Sequence, residues 1–171
     1  MTKPLQRRCI LYREPLRLDI TCFTPEFSND LPNPVERMFT GSSMHWECYR
    51  DWSERRAFAQ RQFEAHIQQA RKNTLTGITY QDEDALVCIF VADPEPKYLD
   101  LYLCATGSKV FVLIDEWLEW IADISLAGKK LHPFEREAAI AILPKLAREL
   151  PKVAIILART DWEGTERKWY Q

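Results

Sequence analysis

A chain of 171 residues, 46% hydrophobic and 12% aromatic, is long enough for one packed domain and too apolar for intrinsic disorder. Its 23 Lys and Arg against 25 Asp and Glu give a net charge of −2, without the dense basic balance of a nucleic-acid-coating protein. Apolar runs such as those at 85–91, 110–114 and 153–158 fall far short of the ~20 residues of a membrane-spanning helix. No apolar signal core follows Lys3, Arg7 and Arg8, so a soluble, cytoplasmic protein is expected.

The charge is uneven. Residues 1–80 hold 12 Lys and Arg against 9 Asp and Glu, whereas residues 81–171 hold 11 against 16. An acidic second half suits a basic protein partner, with an ordinary solvated surface as the bland alternative, and neither half has the basic patch of a nucleic-acid binder. Neither Gly-x-Gly-x-x-Gly nor the Walker pattern can be written with the five glycines present, which removes the common phosphate loops.

In chain order, residues 5–27 read as two short strands joined by a turn near Arg13-Glu14-Pro15, and residues 24–36 as an irregular loop. A long helix is expected from Asp51–Ser53 to Lys72-Asn73, opened by an Asp51/Glu54 capping box, with Phe58, Ala59, Phe63, Ile67 and Ala70 as its buried stripe. Three strands follow as a meander, at 85–91, 98–105 and 109–114, turning at 93–96 and at Thr106-Gly107-Ser108. Trp117, Trp120, Ile121 and Ile124 then fall on one face of a short helix that Gly128 would stop. Pro133 opens another helix, which Pro144 is expected to kink or divide, and residues 153–158 read as a buried strand. The fold class is therefore α+β: a degenerate zinc-finger-like part over residues 1–50, then a body over 51–171 of one long helix, an antiparallel β-meander and C-terminal helices.

The chemistry concentrates before the long helix. His45 and Cys48, two residues apart, form half of a zinc knuckle, and Cys9 and Cys22 lie upstream, so Cys9, Cys22, His45 and Cys48 offer one imidazole and three thiolates. Where a second cysteine would complete the first knuckle stands Tyr12. The run Met44-His45-Trp46-Glu47-Cys48-Tyr49-Arg50-Asp51-Trp52 resembles the second, LIM- or treble-clef-like knuckle of a group of uncharacterised bacterial proteins. In that group a Cys-x2-Cys knuckle precedes His-Trp-x-Cys-Tyr, and an α/β region follows. The resemblance implies a small zinc-binding module ahead of a domain of unknown activity and gives no substrate. Tyr12 departs from the pattern, and the bland alternative is a relic in which Tyr12, Trp46 and Tyr49 pack where the metal was.

Other constellations are weaker. Cys48 with His45, His66 or His132 has the ingredients of a thiolate–imidazole pair, but no nucleophile signature surrounds it. Asp82-Glu83-Asp84 reads as a turn, and Asp115, Glu116, Glu119 and Asp123 as the acidic, solvated start and face of a helix. Cys88, Cys104 and His66 read as packing residues. No catalytic residue is assigned and no cofactor beyond zinc is expected. Six tryptophans and the acidic half fit protein recognition, with Asp115, Glu116, Glu119, Trp162 and Trp169 as the candidate partner-binding residues. The expectation is a non-enzymatic bacterial binding protein, a toxin-neutralising immunity protein or adaptor. The alternatives are a hydrolase-like enzyme with its site around His45 and Cys48, and a zinc-dependent nucleic-acid module using Arg50, Arg55, Arg56 and Arg61.

Overall fold

A computed structural model describes residues 8–16, 22–26, 34–90 and 97–158. Its centre is an antiparallel sheet in the order β3-β4-β5-β6, formed by β3 (Thr76–Gln81), β4 (Ala85–Phe90), β5 (Tyr98–Leu103) and β6 (Ser108–Leu113). Because side chains alternate across a strand, each strand offers one set to each face. Ala85, Val87, Ile89, Leu99, Leu101, Leu103, Val110 and Val112 point to one side and bury against three helices: α4 (Ile114–Ala122), α5 (Pro133–Glu149) and α6 (Val153–Ala158). Trp117 is fully buried there, its indole N–H donating to the Leu150 carbonyl at 3.1 Å. The opposite set, Leu86, Cys88 and Tyr102, packs under α3 (Arg55–Lys72) through Phe63 and Ala70. Helices thus cover both faces of an antiparallel meander, and the α+β class holds.

The N-terminal part sits on the end of this sandwich where β5 turns into β6. Two-residue strands β1 (Cys22–Phe23) and β2 (Met44–His45) pair antiparallel, with one-turn helix α1 (Pro34–Arg37) ahead of β2 and α2 (Trp46–Asp51) directly after it. Phe23, Met44, Trp46 and Tyr49 form an aromatic-rich cluster that continues into Phe58 of α3 and Phe134 of α5. Trp46 stacks on His132, with ring centroids 5.5 Å apart. Tyr49 is fully buried, and its hydroxyl donates to the Thr106 carbonyl at 2.8 Å. The 1–50 part therefore shares its core with the body.

Several local expectations are corrected. Asp51 ends α2 and pairs with Arg50, so α3 opens at Glu54 without a side-chain cap. Strand β3 was hidden by Thr76, Gly77 and Thr79, which leave too little apolar alternation to read. Helix α4 stops at Ala122, before a single 3-10 turn (Ile124–Leu126), and Gly128 lies beyond it. Pro144 does not divide α5, which runs unbroken from Pro133 to Glu149 and is capped by His132 Nδ1 accepting from the Phe134 N–H. Residues Val153–Ala158 are a helix and not a strand: a six-residue apolar run has no period to separate the two, and Ile156 joins the core from α6. The turn at 93–96 lies outside the described residues. Among the described residues no helix is long and apolar enough to cross a membrane.

Candidate functional site

Two places stand out, and they lie at opposite ends of the strands. The first is the predicted knuckle. Residues 8–15 fold into a tight turn in which the Arg13 N–H donates to the Cys9 carbonyl and the Cys9 N–H to that of Glu14, both at 2.8 Å. Arg13 takes a positive φ of 63°, and a bridge between Arg8 and Pro15 closes the turn. This turn carries the buried Cys9 to the start of α2, where one helical turn places His45 and Cys48 side by side. The ligand atoms of Cys9, His45 and Cys48 all lie within 4.8 Å of one another, with Cys48 Sγ 3.7 Å from His45 Nδ1.

Cys22 is not brought into that group. It lies directly opposite His45 in the β1–β2 ladder, so the two side chains share a face while Phe23 and Met44 turn into the core. Tyr12 stands 55% exposed and does not fill the place of a metal, which corrects the packing expected of it; Trp46 and Tyr49 are buried as expected. Burial, then the neighbouring Cys9, Glu14 and Glu47, pushes the Cys48 thiol up to about 11. A nucleophilic cysteine needs the reverse, a nearby cation that favours the thiolate. Two thiols and an imidazole, with Glu14 and Glu47 beside Cys48, are a donor set that fits a divalent cation such as zinc. Bound there, the ion would cross-link the 8–15 turn to α2.

The second place is a corner of the sheet. Helix α3 runs diagonally from the β5–β6 turn, where Gly107 meets Ala59, to the start of β3, and leaves one corner of its own face bare. Tyr98 and Leu113 are opposite each other there, and Phe111 is opposite Asp100 one step inward. Phe90, one residue beyond the Ile89–Leu99 pair, continues the row on β4. Phe90, Tyr98, Phe111 and Leu113 are 52%, 53%, 61% and 39% exposed. Lys109 lies over the Phe111 ring at 4.3 Å and is itself paired with Asp100 at 3.0 Å and Glu26 at 3.4 Å.

Helix α4 starts where this corner ends, and the predicted acids follow directly. Asp115 and Glu119 are exposed, while Glu116 pairs with Lys130 at 2.9 Å. Trp162 and Trp169 lie outside the described residues. The aromatic corner is not among the residues singled out from the sequence, although a signal for it is present there. Strands β4 to β6 carry large apolar residues on both alternations, whereas a single helix can cover only part of one face.

Of the arginines, Arg55 lies over Phe134 at 5.0 Å and donates to the Ala105 carbonyl at 3.1 Å, and Arg61 pairs with the buried Glu36. Arg55, Arg56, Gln60 and Phe134 line an open groove of about 450 Å³ that does not include His45 or Cys48. No family model, curated protein or solved structure matches this chain.

Proposed function

We propose that this chain is a non-enzymatic protein-binding domain of bacterial type, a toxin-neutralising immunity protein or adaptor, that presents the corner of its sheet to a basic partner. The observation that carries the reading is the contiguous exposure of Phe90, Tyr98, Phe111 and Leu113; Asp115 and Glu119 follow in sequence, exposed on α4, the helix that packs against the other face of the sheet. Monomeric surfaces rarely leave such apolar groups together, and aromatic side chains rimmed by charge are typical anchors of an interface. The acids that follow them in the chain would steer a basic surface and reject an acidic one. In the same proposal zinc at Cys9, His45 and Cys48 is structural, in keeping with the resemblance of the His-Trp-x-Cys-Tyr run to bacterial knuckle proteins. The raised Cys48 thiol weighs against the hydrolase alternative. The ties of Arg55 and Arg61 within the fold weigh against a nucleic-acid face.

The test compares three immobilised forms of the chain in extract of the source cell: wild type, a Tyr98→Ser/Phe111→Ser double variant, and an Asp115→Lys/Glu119→Lys double variant. A basic protein retained by wild type, lost from both variants and released by salt is the expected result. Both variants alter exposed positions, so their unfolding midpoints should match that of wild type. Retention that is indifferent to both changes would overturn the reading.

A further inference from the structure

We infer that the partner adds an extended, basic segment as a fifth strand on the outer edge of β6; this rests on the corner being the binding surface and goes on to name how it is occupied. The sheet order ends at β6, and among the described residues no strand pairs with its outer side. Along an antiparallel strand, residues alternate between those bonded to the neighbouring strand and those whose N–H and C=O point away from it. The Ile114 N–H donates to the Lys97 carbonyl at 3.0 Å. The register pairs Leu99 with Val112, Leu101 with Val110 and Leu103 with Ser108, so these inner pairs keep the same phase. The main-chain groups of Lys109, Phe111 and Leu113 therefore face outward. Leu113 is partly occupied, because the Glu116 carboxylate accepts its N–H at the start of α4. Among the described residues the main-chain groups of Lys109 and Phe111 have no partner and are left as a template.

An exposed edge of this kind is normally blunted by a free lysine, a proline or a bulge. Here the one lysine on β6 is drawn over the aromatic face by Asp100 and Glu26, and β6 is regular along its whole register. The edge also carries the exposed Phe111 and ends at Leu113, two residues before the exposed Asp115 in the first turn of α4. A strand added here would lay alternate side chains on the aromatic corner and bring a positive charge at its end towards Asp115. A second copy of this chain suits the edge less well, since its β6 would bring only a lysine already paired.

The probe is a short synthetic peptide of alternating lysine and valine, titrated into the full chain while amide exchange is followed residue by residue. Peptide at saturation is expected to slow exchange at Lys109 and Phe111 by about tenfold or more, and to leave Val110 and Val112 as they were. Two further peptides carry N-methyl groups on alternate backbone nitrogens, one in each phase. Methylation on the edge that meets β6 should abolish binding, and methylation on the other should not. If the peptide shifts the Tyr98 and Phe111 rings but neither methylated form differs, the added strand is overturned while the corner survives as a binding surface. If the peptide does not bind, or if the chain alone dimerises with Lys109 and Phe111 already protected, the basic strand is overturned as occupant. The corner reading itself fails separately, when the Tyr98→Ser/Phe111→Ser variant retains the same proteins as wild type.

Discussion

His45 and Cys48 meet because three residues of helix return a side chain to the same face, and Cys9 reaches them because its own turn is closed by two main-chain hydrogen bonds. If zinc completes this group, elemental analysis of the chain purified without added metal should find about one zinc per chain. His45→Ala should then remove the metal and lower the unfolding midpoint, as should a strong chelator on wild type. Identical midpoints with and without the chelator would remove zinc from the account. His66 makes a second residue-level prediction. It is buried under Tyr102 and beside Gln62, and burial, with the Lys109 charge in support, lowers its titration from 6.5 to about 4. The unfolded chain takes up the proton first, so stability should fall as pH drops from about 6.5 towards 4, by up to about 3 kcal/mol. Urea midpoints of wild type and His66→Gln at about pH 7 and pH 5 would show it, the variant losing most of this slope. The knuckle pair and the packing role of His66 were legible in the sequence, since local spacing sets both. That Cys22 falls outside the group was not, because the two-residue strands β1 and β2 are too short to be read from the sequence.

Elements were legible where their period was long. The stripe of Phe58, Ala59, Phe63 and Ala70 identified α3 to within a few residues, and Trp117 and Trp120 identified α4. Strand β3 and helix α6 were not, the first being too polar to alternate and the second too short to show a period. The joint between elements that tolerates least change is the β5–β6 turn. Gly107 has a φ of +64°, and a Cβ there would come within 2.8 Å of the Ala59 backbone. Gly107→Ala should cost about 2 kcal/mol or more. Gly41 has a similar φ of +72° but nothing within 4 Å, so Gly41→Ala should cost about 1 kcal/mol, from backbone strain alone. Denaturant titration of the two variants separates strain from clash, and equal losses would contradict the tight α3 contact.

At the scale of the molecule, one end of the strands is closed by the aromatic cluster of the N-terminal part and the other is left with its aromatic side chains in water. Composition announced the acidic second half, and Asp115 and Glu119 were singled out from it. The bare corner beside them needed the sheet register and the diagonal of α3, neither of which a single sequence fixes. Once the retained protein is in hand, the central claim is tested most directly by its dissociation constant, measured at low and at high salt for wild type and for Tyr98→Ser/Phe111→Ser. The double change is expected to weaken binding by about tenfold or more, and salt to weaken it further. A dissociation constant unmoved by both would contradict it, and the partner would then have to bind elsewhere on the chain.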